Sequence, residues 1–115
     1  MTEADLKRRT KHFALRVIKL VGSLPGTIEG RAIGQQLIRS GTSIGANYRA
    51  ACRGRSKAEF VAKLGIVEEE ADESEYWLEL IIDSGLLTRD RVDPLRNEAG
   101  ELVAIFVASR KSATR

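Results

Sequence analysis

Phe60-Val-Ala-Lys-Leu64-Gly-Ile-Val67-Glu-Glu-Glu-Ala71-Asp-Glu-Ser74-Glu-Tyr-Trp-Leu78-Glu-Leu-Ile81 sets small or apolar residues alternately four and three positions apart. That spacing is the seam of a helix packed lengthwise against other helices. Ser56-Lys-Ala-Glu59, immediately before it, reads as a capping box in which serine and glutamate satisfy backbone groups of the first turn. Gly85 reads as the stop, because glycine accepts the left-handed conformation that closes many helices. A helix over about Lys57–Ser84 follows.

The same period extends outward on both sides. Leu6, Thr10, Phe13, Val17, Leu20 and Leu24 form a first seam that ends at Leu24-Pro25-Gly26, where proline and glycine both oppose continuation. A second helix is predicted from about Thr27 to Arg53, with Ile33, Leu37, Ile44, Tyr48 and Ala51 inward and Gly54 closing it. Val92, Leu95, Ala99, Leu102, Phe106 and Ser109 mark a fourth. Its start is read as a short turn from Thr88 and a regular helix from about Pro94, with Asp93 as cap, since proline suits the first helical position. Joints this short force antiparallel neighbours. The expectation is an all-α, antiparallel up-down-up-down four-helix bundle, with residues 1–115 as one domain.

Composition narrows the function classes. The 115 residues are 43% hydrophobic, enough for a core, and 5% aromatic. The single cysteine, Cys52, has no partner for a disulfide or a zinc pair, so it reads as reduced and the protein as cytoplasmic. The N-terminus mixes Glu3 and Asp5 with its basic residues and shows no secretory leader. The longest apolar run, 102–108, is too short to span a bilayer, so no membrane is expected. Carboxylates at Glu68, Glu69, Glu70, Asp72, Glu73 and Glu75 invite a di-metal site, but such sites need Glu-x-x-His pairs. The only histidine, His12, follows Arg9 at that spacing. There is no nucleophile–base pair and no phosphate loop. Neither enzymatic activity nor a cofactor is expected.

Three features of the helices ask for a partner. Gly30, Gly34, Gly41 and Gly45 each cost about 1 kcal/mol relative to alanine inside a helix, so close helix approach must offset them. Packing within one bundle and contact between subunits both remain open; Gly41 and Gly45 are the candidates for a subunit interface. Asn47 sits on a face that would be buried. A polar bridge to Ser43, Glu70 or Glu73 that fixes helix register is favoured over a ligand site. Trp77 falls beside the main seam and, with Ile66 and Leu80, forms a second apolar edge; a subunit interface that covers it is favoured over a peripheral core position for Trp77.

Charge carries the functional argument. Residues 1–63 hold 13 Lys/Arg against 4 Asp/Glu, a net +9, whereas residues 64–101 hold 3 against 12, a net −9. Lys7, Arg8, Arg9, Lys11, Arg16 and Lys19 share the first helix. Arg49, Arg53, Arg55 and Lys57 cluster at the second joint, with Arg110 and Lys111 near the C-terminus. These twelve are the candidate nucleic-acid contacts. With few aromatics for stacking, binding would go to phosphates, independent of sequence. Alternatively, the basic helices neutralise the acidic third helix.

Gln36-Leu-Ile-Arg-Ser40 with Ser43-Ile-Gly-Ala-Asn47, then Phe60, Lys63 and Leu64, then Glu75-Tyr-Trp-Leu-Glu79, and finally Glu98-Ala99, Glu101-Leu102, Ile105-Phe106 and Ser109, are spread across all the predicted helices. Together they resemble the four-helix-bundle proteins encoded within intervening sequences of bacterial large-subunit ribosomal RNA genes. That family in turn resembles the accessory protein of diversity-generating retroelements. The chain departs from the pattern at Gly45, where many members have proline. It departs again at Tyr48-Arg49-Ala50-Ala51, where many have an acidic residue and glycine. The resemblance implies a homo-oligomeric ring, a pentamer, with nucleic acid as the partner of some relatives and no catalysis. RNA or DNA binding is the favoured reading; a protein-interaction scaffold without nucleic acid is the alternative.

Overall fold

The computed structural model describes residues 1–115 and holds four helices: α1 (Glu3–Val21), α2 (Ile28–Cys52), α3 (Lys57–Asp83) and α4 (Arg89–Ala113). The helices stack into a rod of 44 × 21 × 19 Å. Each packs extensively on its neighbour in sequence; of the helix pairs in contact, α1 and α4 touch least. This is the expected all-α bundle, with one loosely closed edge.

Local chemistry explains the helix ends. Thr2 and Asp5 form a reciprocal capping box: the Asp5 amide donates to Thr2 Oγ1 at 3.1 Å and the Thr2 amide to Asp5 Oδ2 at 3.0 Å. At α3 only half of the expected box forms. Ser56 Oγ accepts from the Glu59 amide, but the Glu59 carboxylate accepts from the amide of Arg55 instead of Ser56. Gly85, at φ +74°, turns the chain after α3 as expected.

The start of α4 corrects the sequence reading. The helix runs unbroken from Arg89 through Pro94, and Asp93 caps nothing; its carboxylate accepts from Arg96 at 3.0 Å. Tertiary anchoring outweighs the local rule. Val92 is fully buried, so the first turn is held on the core by a contact that a start at Pro94 would forfeit, and buried Leu87 anchors the chain just before it. The proline removes one hydrogen bond, to the carbonyl of solvent-exposed Asp90, which water can satisfy. Pro94→Ala restores that bond and should stabilise the protein by about 1–2 kcal/mol, less than the full proline penalty because the unfolded chain also gains freedom. Urea titration followed by helical circular dichroism checks this.

Phe13, Val17, Leu37, Ile44, Leu64, Leu78, Leu102 and Phe106 fill the core, with Tyr48 and Phe106 in tilted contact at 5.3 Å between ring centroids. The glycines settle their own partner. A Cβ on Gly41 would lie 2.9 Å from both γ-carbons of Val17; on Gly45 it would lie 3.1 Å from Thr10 Oγ1, and on Gly34 3.1 Å from Val21 Cγ1. All three face α1 of the same chain. The reading of Gly41 and Gly45 as a subunit interface is therefore corrected: their missing side chains let α1 lie close on α2.

No helix is long and apolar enough to cross a membrane.

Candidate functional site

The close α1–α2 approach has an electrostatic consequence. Near the N-terminus of α1 and the C-terminus of α2 the two helices leave a groove of about 410 Å³, floored by Ala14, Gly45 and Ala46 and flanked by Lys7, Arg8, Lys11, Arg49 and Arg53. No carboxylate lines it. The small floor residues keep the cleft open, and the antiparallel pairing brings together cations some 40 positions apart in sequence.

The five cations are not equivalent. Lys7 and Arg8 pair with Glu3 and Asp5, one helical turn away on exposed surface. Exposed pairs of this kind contribute little, are screened by salt and yield readily to a competing anion. Lys11, Arg49 and Arg53 take part in none of the nine ion pairs. The groove thus holds like charges whose mutual repulsion an anion would relieve.

Two predicted contacts leave this set. Arg9 forks onto Glu98 of α4 with two 2.7 Å hydrogen bonds and reaches Glu101 at 3.1 Å. The bonds to Glu98 raise its pKa above the ordinary arginine value. Arg110 is held by Glu68 of α3 at 2.6 Å. Both are half-buried ties between helices, and freeing either would strand a carboxylate. Lys57 donates to the Arg115 carbonyl oxygen at 2.9 Å, tying the start of α3 to the chain end. Arg55 and Lys111 are exposed at that same end of the rod, outside the groove. Arg16 and Lys19 lie on the flank of α1 that faces α4.

The polar bridge also differs from expectation. Asn47 does not reach Glu70 or Glu73; its side-chain amide donates to the Ser43 carbonyl oxygen of its own helix at 2.8 Å, and the Ser43 hydroxyl donates to the Arg39 carbonyl. Arg39 supplies the α2–α3 bridge, donating to Glu70 at 3.0 Å and to Glu73, whose carboxyl it holds below the usual value. Beside it the buried hydroxyls of Ser40 and Ser74 share a hydrogen bond of 2.9 Å. Arg39 and Ser40 belong to the stretch that carries the family resemblance, but the sequence assigns neither of them this bridging role. The available signal was that two serines interrupt facing apolar seams, Ser40 after Leu37 and Ser74 before Leu78.

The acidic run on α3 is therefore committed in part to arginines within the chain. Glu69, Asp72 and Glu75 pair with none; of these Glu75 lies half-buried against Gly100, and burial, reinforced by Glu79 and Asp72, pushes its pKa up. Trp77 is half-buried against the core, and its indole N–H donates to Glu73 at 3.3 Å. That leaves Ile66 and Tyr76 as the open apolar residues of this face.

The family described as 23S rRNA-intervening sequence protein matches residues 2–108 of the chain. A crystallised protein of unknown function from the S23 ribosomal protein family of Bacteroides thetaiotaomicron VPI-5482 is similar in both sequence and shape. It shares 36% identity over 96% of this chain and 99% of its own, with a TM-score of 0.88. No curated protein matches.

Proposed function

The chain belongs to the 23S rRNA-intervening sequence protein family, and from that premise we propose that it is a non-catalytic, homo-oligomeric bundle that binds RNA or DNA through backbone phosphates at the α1/α2 groove. One observation carries the reading: five cations from two helices converge on one cleft that no carboxylate enters. Basic residues that merely balanced α3 would sit against its acids, as Arg39 does. Those in the groove do not. No base-reading element accompanies them, so the contacts are to phosphate and binding is independent of sequence. A ring of subunits, a pentamer on the family resemblance, would repeat the groove and multiply a weak single-site affinity.

Fluorescence anisotropy with labelled random-sequence RNA and DNA across a salt series tests this. Submicromolar binding that weakens steeply with salt is expected. Absence of binding at about 50 mM salt, within the range where phosphate contacts are strongest, would overturn it. The alternative would then lead: a protein-interaction scaffold using Leu15 and Ile18 on α1, 56% and 50% exposed, or Tyr76 on α3, 53% exposed.

A further inference from the structure

Arg16, Lys19 and Arg91 surround a second cleft, of about 480 Å³, along the loosely packed edge between α1 and α4. Leu20 and Leu95 form its apolar floor, and Ser23 stands at its rim. None of the three cations takes part in an ion pair. Among the arginines of α4 this sets Arg91 apart, because Arg89 and Arg96 on either side of it in sequence both close on Asp93, and Arg110 closes on Glu68. An arginine that had only to balance local acids would have joined them. Arg91 instead adds a third positive charge to a cleft already holding two.

We propose that this cleft is a second phosphate subsite, and that one single strand of nucleic acid runs from the α1/α2 groove across α1 into it. The proposal rests on the reading that the α1/α2 groove takes phosphates. The two clefts lie on opposite flanks of α1, helix that both share, and Arg16 and Lys19 follow Lys7 and Lys11 by about eight to nine residues, roughly 13 Å at 1.5 Å per residue. The crossing surface carries His12 and Leu15, both exposed, and no acidic residue; none occurs between Asp5 and Glu29. Charge therefore stays favourable along the whole path, and Leu15 offers an apolar face to a base or ribose. A flexible strand can wrap a helix roughly 10–12 Å across and enter clefts on both sides. A duplex, stiff over about 150 base pairs, cannot follow that bend and meets only the ridge.

The test compares Arg16→Gln/Arg91→Gln with unmodified protein and with Lys63→Gln/Arg115→Gln, which loses the same charge away from both clefts. For a 12-nucleotide oligouridylate, the cleft variant should bind about tenfold more weakly than the control. Its salt slope should fall by about 1.4, two contacts at about 0.7 each for single strands. A 4-nucleotide strand cannot reach both clefts, and its affinity should change less than twofold. Binding of the 12-mer equal to the control, with loss on changing Lys11, Arg49 and Arg53, overturns the second subsite and leaves the groove reading standing. An equal loss for a 12-base-pair duplex overturns the single-strand path. No effect from either set of substitutions overturns both. All variants are compared by circular dichroism, and Arg91→Lys, which keeps the charge, should retain most of the binding.

Discussion

Lys11→Glu/Arg49→Glu/Arg53→Glu is expected to bind RNA and DNA about 100-fold more weakly than the unmodified protein at about 50 mM salt. Its salt slope should be shallower by about 2–3, because each lost phosphate contact removes about 0.7–0.9 from it. The three residues line one groove and are engaged by no carboxylate, so their reversal breaks no internal ion pair. Melting should therefore move by no more than about 1 kcal/mol equivalent, the small loss at the α2 C-terminus being offset by relief of like-charge repulsion. Arg9→Gln behaves in the opposite way: it strands Glu98 and Glu101, so its main effect is on stability. A triple variant that folds normally and binds with unchanged affinity would remove the groove from the account.

Gly41→Val should destabilise the bundle by about 3 kcal/mol, lowering its melting temperature by roughly 10 °C. Overpacking a core contact typically costs 1–3 kcal/mol, and this site is at the upper end. Even a bare Cβ would sit 2.9 Å from both γ-carbons of Val17, so α1 must move away from α2. That movement also separates Lys7 and Lys11 from Arg49 and Arg53, and binding should weaken although no charge has changed. Val17→Ala in the Gly41→Val background should return part of the stability, although Val17→Ala alone is destabilising. A coupling of at least about 1 kcal/mol is expected for residues in direct contact. Thermal melting of the four proteins supplies the cycle. Were Gly41 a subunit contact instead, Gly41→Val would alter the mass measured by light scattering, and Val17→Ala would return none of the lost stability.

Which parts of this were legible in the sequence follows from how local each determinant is. The α3 seam and the stop at Gly85 depend on neighbours within a turn or two and were readable, whereas α1 ends at Val21 with Gly22 as its cap, three residues before the Leu24 end expected at Pro25-Gly26. The α4 start was misread because a sound local rule, proline at the first helical position, competes with the burial of Val92, which only the assembled core reveals. The glycines announced a close approach but not its direction; that needed the position of Val17 and Thr10 across the seam. Charge shows the same limit most sharply. Arg9 and Lys11 stand two residues apart and look alike in the sequence, yet one faces a carboxylate 89 positions away and the other faces none. Arg110 is likewise separated from Glu68 by 42 positions. The +9/−9 division was visible, but which cations are spent inside the bundle and which are left for a ligand is a property of helix pairing.

Photo-crosslinking of the full chain to RNA containing 4-thiouridine, with the attachment sites read by mass spectrometry, tests the central claim most directly. Crosslinks are expected to concentrate on α1 between Lys7 and Lys19 and on the C-terminal turns of α2 around Arg49 and Arg53. Crosslinks confined to α3, or a pattern spread evenly over all four helices, would contradict it.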